Sequence, residues 1–88
     1  MKIAEQIYDK LDAAFSPEVL EVRDDSARHA GHAGNPSGDG ETHFHVVMRA
    51  EAMGGLTRVA RHRAVHAALG DLARAVHALS LDLDAPAT

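Results

Sequence analysis

Short segments in which apolar and polar side chains alternate every second residue set the strongest limit on the fold of this chain. In residues 42–49, THFHVVMR, every second side chain from Thr42 onward falls on one face of an extended backbone. In residues 76–83, VHALSLDL, three leucines share one face with His77. Such alternation is typical of strands that have one face on a core and the other toward water. Residues 18–24, which are partly β-branched and are followed by turn formers, predict a further short strand.

Two longer segments repeat apolar residues every three or four positions, which is the spacing of an amphipathic helix. Residues 2–15 are the first, and Ser16-Pro17 ends it because the residue before a proline is pushed out of the helical region. The second runs from residue 56 to about residue 73, although Gly70 weakens it by about 1 kcal/mol relative to alanine. Its apolar stripe consists of Val59, His62, Val65, Leu69 and Leu72.

The predicted order of elements is α-β-β-α-β. Three strands with two helices favour an α+β fold, a two-layer α-β-β-α-β sandwich with a three-stranded sheet. The two strands within residues 18–49 are predicted to pair antiparallel, and the last strand follows a helix and is expected to add in parallel through a right-handed crossover. The 88 residues predict a single domain, 1–88, in which 26–41 is a flexible loop and 84–88 a tail.

The composition excludes several classes of function. The chain has no cysteine, which rules out disulfides, an all-cysteine zinc site and a cysteine nucleophile. A formal charge of −4 and an aromatic content of 3% argue against a general basic footprint and against binding of single strands by base stacking. With no apolar run of membrane-spanning length and no signal-peptide pattern, the expected location is the cytoplasm, away from membranes. The absence of GxSxG, P-loop and GxGxxG motifs predicts that the chain is not an enzyme.

Seven histidines are the unusual part of the composition. His29 and His32 stand three residues apart in the predicted loop, where neutral imidazoles can bind a metal ion or can simply be solvated. His77 opens the third predicted strand, either as a partly buried side chain or as a ligand that faces the loop. His62 and His66 form an i, i+4 pair, but the glutamate of a zincin helix is missing between them. His62 is better explained as a core histidine that is hydrogen-bonded to backbone.

Four short segments occur in an order that is typical of a known family. They are Asp24-Asp25-Ser26 with His29, then Glu41-Thr42-His43-Phe44, then Gly55 followed by Arg61-His62-Arg63, and finally Val76-His77-Ala78-Leu79. Through these segments the chain resembles the BolA family over about residues 3–83. The resemblance is specific because the four segments occur together. It implies a class II KH-like, BolA-like fold, which agrees with the predicted order of elements.

The resemblance implies an adaptor role in iron–sulfur handling or in iron and redox sensing. Members of the family pair with monothiol glutaredoxins and share a [2Fe-2S] cluster, to which the glutaredoxin and glutathione supply thiolates. By motif position His77 is the strand ligand and His29 the loop ligand, with His32 as an alternative loop ligand. Because this chain has no cysteine, it offers a cluster only imidazole or carboxylate groups. The isolated chain is therefore expected to hold no cofactor, and a partner with thiolates is a chemical requirement.

The resemblance also implies a second role, as a transcriptional regulator of the stress response and of cell morphology. Four arginines would then form a basic face for DNA: Arg58, Arg61, Arg63 and Arg74. If all four neutralise phosphates, the slope of log affinity against log salt is about −3.6. A solvated helix surface is the simpler interpretation of these arginines. A third interpretation is that the chain alone is a homodimer, or a zinc-binding module whose histidines take up zinc without functional meaning.

Overall fold

A computed structural model describes residues 2–25, 43–76 and 78–87 of the chain. Its elements are α1 (Ile3–Phe15), β1 (Val19–Asp24), β2 (His43–Arg49), a single-turn 3₁₀-helix (Glu51–Met53), α2 (Arg58–Leu69), α3 (Leu72–Ala75) and β3 (Ala78–Asp84). The predicted α-β-β-α-β order is confirmed, with the 3₁₀-helix and α3 as additions. The predicted flexible loop, 26–41, lies outside the described residues.

The three strands form one mixed sheet in the order β1-β2-β3. β1 pairs with β2 antiparallel and β2 pairs with β3 in parallel, so that Val46 of β2 lies between Val22 and Leu81. Both predicted pairings are confirmed, and with them the α+β fold and the three-stranded sheet. β2 is the central strand, and β1 and β3 are the edge strands.

The core lies between one face of the sheet and the two long helices. β2 alternates between half-buried and buried side chains along its whole length, as its period of two predicts. The buried side chains of β2 pack with buried side chains of α1, α2 and the 3₁₀-helix, and this core cluster includes Phe44, Val46, Met48, Ile7, Leu11, Met53, Val65 and Leu69. The other face of the sheet is polar and carries the half-exposed His43, His45 and Arg49 on β2.

The second helix does not run to residue 73 as predicted. Thr57 caps its N-terminus by accepting a hydrogen bond from the backbone N–H of Ala60 at 3.1 Å, which satisfies a donor that has no partner within the helix. The helix ends at Leu69 because Gly70 adopts φ 58° and ψ −131°, a backbone conformation that residues with a Cβ atom rarely adopt. The chain resumes helical geometry only for Leu72–Ala75. The predicted continuous helix is therefore two helices separated by a turn.

None of the helices in the part of the chain that the structure describes has the length and apolar character needed to span a bilayer.

Candidate functional site

Three strand termini meet at one end of the sheet, which we call the His43 end. β1 finishes there, whereas β2 and β3 begin there, with His43 paired to Ala78 and Asp24 paired to Phe44. The backbone N–H of Asp25 donates to the carbonyl oxygen of His43 at 2.8 Å. Between these termini lies a depression of 260 Å³, lined by Asp25, His43, Phe44, Ala78, Leu79 and Ser80.

The predicted ligands His29, His32 and His77 lie outside the described residues, and their role stays a prediction. The described residues to which they are joined are nevertheless at the His43 end. His77 is bonded directly to Ala78, and His29 follows Asp25 by four residues. A fully extended backbone of four residues is about 14 Å long, so the Cα atoms of Asp25 and His29 cannot be further apart than that. The sequence therefore keeps the imidazoles of His29 and His77 within a short length of chain from residues that line this depression.

Asp25, on the rim of the depression, is held by a neighbouring arginine. Nε of Arg23 donates to Oδ1 of Asp25 at 2.7 Å and Nη2 donates to Oδ2 at 3.3 Å. The hydrogen bond and charge of Asp25 raise the pKa of the Arg23 guanidinium above its ordinary value. Over residues 2–25, 43–76 and 78–87, no group of three or more His, Cys, Asp or Glu side chains is arranged to hold a metal ion. Described side chains alone therefore do not make a metal centre at this end.

A polar contact next to the depression joins the two parallel strands. Nδ1 of His45 lies 3.0 Å from Oγ of Ser80, on the face of the sheet away from the helices. The two residues are also partners in the strand register. Sequence parity alone places both side chains on the polar face, but it does not reveal this pair, because the register of a parallel strand depends on the whole intervening crossover.

At the opposite end of the sheet, which we call the Arg49 end, Arg61 joins α2 to two other elements. Its Nε donates to the carbonyl oxygen of Met53 at 3.0 Å, and its Nη1 donates to the carbonyl oxygen of Leu83 at 3.0 Å. Nη1 also lies 3.4 Å from Oδ1 of Asp84, and the Arg61 side chain is 22% exposed. Arg61 thus connects α2 to the 3₁₀-helix and to β3. Its place in an arginine-rich helix does not reveal this structural role.

The four arginines predicted to form a basic face are distributed over two helices. Arg58 and Arg63 are exposed on α2, and Arg61 is engaged by backbone carbonyls. Arg74 belongs to α3, where its Nη1 lies 3.7 Å from Oδ1 of Asp71. The structure therefore leaves Arg58 and Arg63 of α2 accessible, and the Arg74 side chain of α3 is 87% exposed. Contact of these arginines with DNA stays a prediction.

The start of α2 also corrects the predicted apolar stripe. Val65, Leu69 and, beyond the helix, Leu72 are buried as predicted, but Val59 is 58% exposed because the first turn of α2 lies outside the core. His62 is half-buried rather than enclosed, so its interpretation as a core histidine is wrong. It lines a depression of 310 Å³ together with Arg58, Val59, Arg63 and His66.

Taken together, the mixed three-stranded sheet, the helices on one of its faces and the convergence of strand termini define a KH-like α+β domain. A sequence model of the family described as BolA-like protein matches residues 11–88. The chain belongs to the BolA family.

Individual relatives support this assignment. Mouse BolA-like protein 1 is 46% identical over 89% of this chain and 54% of that protein. The Escherichia coli protein named DNA-binding transcriptional regulator BolA is 43% identical over 92% of this chain and 73% of that protein. The solved BolA domain of SufE1 from Arabidopsis thaliana superposes with a TM-score of 0.80 at 39% identity, over 94% of this chain and 91% of that one. The chain thus spans about half the length of the mammalian relatives, and none of these names states a catalysed reaction.

Proposed function

We propose that this chain is a non-enzymatic adaptor that pairs with a monothiol glutaredoxin and shares a [2Fe-2S] cluster with it, in iron–sulfur handling or in iron and redox sensing. The observation that carries the proposal is the convergence at the His43 end. Asp25, His43 and Ala78 line one depression, and they are the described residues to which the segments bearing the predicted histidine ligands are joined. A partner seated on this end would meet both the loop and the strand that carry them.

The donor chemistry of the chain fits a shared cluster rather than one held by this chain alone. A [2Fe-2S] cluster needs four protein or cofactor ligands, which are usually cysteine thiolates. This chain has no cysteine, and its described residues hold no metal-binding group of three. His77, with His29 or His32, would supply two imidazoles, and glutaredoxin and glutathione would supply the thiolates. When two imidazoles replace thiolates on one iron, the cluster has a higher reduction potential.

The proposal is tested by titrating this chain into a monothiol glutaredoxin that carries its cluster and glutathione, and by following visible absorption and circular dichroism. We expect a new spectrum that saturates at a 1:1 ratio. The variants His29→Ala, His32→Ala and His77→Ala should then separate the ligands, because removal of a ligand changes the spectrum and speeds cluster loss. His66→Ala is the matched control, since that histidine is exposed on α2 and is not part of the His43 end.

Two results would count against the adaptor role. If no complex forms and the spectrum of the loaded glutaredoxin stays unchanged, the pairing itself is wrong. If a complex forms but all three histidine variants behave like His66→Ala, the chain docks without contributing a ligand.

A second candidate function, DNA binding, is favoured by the name of the Escherichia coli relative. In this structure Arg58 and Arg63 are the exposed arginines of α2, whereas Arg61 is engaged by two carbonyl oxygens. Arg74 of α3 is also 87% exposed, so three neutralised phosphates predict a slope of log affinity against log salt of about −2.7, compared with about −3.6 for four. Fluorescence anisotropy with a labelled duplex, at several salt concentrations, measures this slope. Absence of any sequence-dependent binding near physiological salt would exclude a specific regulator.

A further inference from the structure

The exposed side of α1 carries an acidic surface around a tyrosine, which we call the acidic flank. It consists of Glu5, Tyr8, Asp9 and Asp12, whose i, i+3, i+4 and i+7 spacing puts them on one side of the helix. Tyr8 is 43% exposed, and it borders a depression of 290 Å³ that is also lined by Val22 of β1. The three carboxylates make no ion pair within the described part of the chain.

The exposed side of α2 carries a surface of the opposite charge with the same spacing, which we call the basic flank. It consists of Val59, His62, Arg63 and His66, again at i, i+3, i+4 and i+7, with Arg58 beside them. Val59 is 58% exposed, so an apolar side chain lies among cationic groups, as Tyr8 does among anionic ones. Neither Arg58 nor Arg63 has an ion-pair partner among the described residues.

The two flanks lie beside opposite edges of the sheet. The depression at the acidic flank includes Val22 of the edge strand β1. Arg58 and His62 of the basic flank also line a groove of 390 Å³ with residues of β3, the other edge strand. One copy of the chain therefore presents acidic and basic helix surfaces at opposite sides of the domain.

We propose that the basic flank of one copy docks on the acidic flank of a second copy, so that the chain self-associates head to tail through α2 and α1. A second copy of the chain is the partner that fits, because the two flanks are complementary. Each flank has an exposed large side chain, Tyr8 or Val59, among charges of one sign. The other flank of the same chain carries charges of the opposite sign at the same helical spacing. Pairing a flank with its own counterpart would bring three carboxylates, or two guanidinium groups, against the same charge. A head-to-tail contact does not close on itself with two copies, so the assembly grows with concentration instead of stopping at a dimer.

The test is sedimentation equilibrium of the 88-residue chain up to about 1 mM, the range in which small interfaces associate, at about 20 mM and about 500 mM salt. At low salt the mass average should rise continuously above the monomer mass of 9.4 kDa, and at high salt it should fall back toward it. A wild type that stays monomeric at low salt, or one that levels off at twice the monomer mass, would overturn the proposal.

Charge reversal tests the two flanks separately. Glu5→Lys with Asp9→Lys makes both flanks basic, and Arg58→Glu with Arg63→Glu makes both acidic, so each double variant should be monomeric alone. An equimolar mixture of the two should associate again, because every contact is then complementary. Glu21→Lys with Glu51→Lys is the matched control: it changes exposed residues outside both flanks by the same charge as the first variant and should associate like the wild type.

The first double variant also distinguishes head-to-tail growth from a closed pair. The basic flank of this variant still fits the acidic flank of a wild-type copy, but its altered α1 no longer binds a basic flank. Bound to the end of an assembly, it prevents the addition of further copies. Small amounts of it should therefore lower the weight-average molar mass of the wild type. Far-UV circular dichroism confirms that each variant is folded. Association of both double variants alone, or a mixture that remains monomeric, would contradict the proposal.

Discussion

The two ends of the sheet use their charged side chains differently. At the Arg49 end, guanidinium groups reach backbone carbonyls of distant segments: Nη1 of Arg49 donates to the carbonyl oxygen of Asp82 at 3.0 Å, and Arg61 donates to those of Met53 and Leu83. At the His43 end, Arg23 is held by Asp25, only two residues away. Arginine hydrogen bonds between distant segments therefore connect the elements at the Arg49 end, which also borders a groove of 390 Å³. At the His43 end the arginine contact is local, and the strand termini border a depression of 260 Å³.

This difference shows why the number of arginines is a poor guide to a binding surface in so small a domain. Arg61 belongs to the RHR segment through which the chain resembles its family, yet its donors are used to connect α2, the 3₁₀-helix and β3. A charged hydrogen bond to a partly buried carbonyl stabilises more than an exposed ion pair does. Arginine hydrogen bonds therefore connect the elements at the Arg49 end, and the His43 end is the one at which we propose that a partner docks.

Among the variants that test this difference between the two ends, Arg61→Ala is expected to lower the free energy of unfolding most. The change removes two charged hydrogen bonds and leaves the carbonyl oxygens of Met53 and Leu83 without that donor, so we expect the free energy of unfolding to fall by about 2–4 kcal/mol. Urea denaturation followed by circular dichroism measures the loss. Arg63→Ala, an exposed arginine of the same helix, should change it by less than about 0.5 kcal/mol. Equal effects of the two variants would show that the Arg49 end is not fastened by Arg61.

The smallest effect is expected near the His43 end, from Ser80→Ala. Its hydroxyl lies 3.0 Å from Nδ1 of His45 on an exposed face, and an exposed hydrogen bond of this kind stabilises by about 0.5 kcal/mol. The same urea titration applies, and His45→Ala combined with Ser80→Ala completes a double-mutant cycle. A loss as large as that of Arg61→Ala would mean that the two ends of the sheet are fastened equally, and the contrast between them would disappear.

Much of the fold could be predicted from the sequence because it follows from local periodicity. Alternation in β2 identifies the buried face, and the helix before β3 correctly implies a parallel last strand. The break at Gly70 could not be placed in advance, because a glycine late in a helical pattern is compatible with either a weakened helix or a terminus. The exposure of Val59 depends on how far α2 extends past the core, which local spacing does not encode.

The candidate site could be predicted less completely. Family motifs point to His29, His32 and His77, and the structure adds the depression at the strand termini to which they are joined. The role of Arg61 could not be predicted, because its acceptor Leu83 lies 22 residues further along the chain. Contacts of that kind depend on the assembled crossover, and no local pattern records them.

The central position of β2 has a consequence for how the chain reaches its native state. Val46 pairs with Val22, which precedes it by 24 residues, and with Leu81, which follows it by 35 residues. Each pairing closes a long stretch of chain before it gains any contact, and domains with such distant pairings fold more slowly than helical bundles of equal size. The helices can form early from local contacts, but the sheet forms only when β2 pairs with both β1 and β3. The rate of folding, more than the final stability, is therefore controlled by the segments on either side of β2.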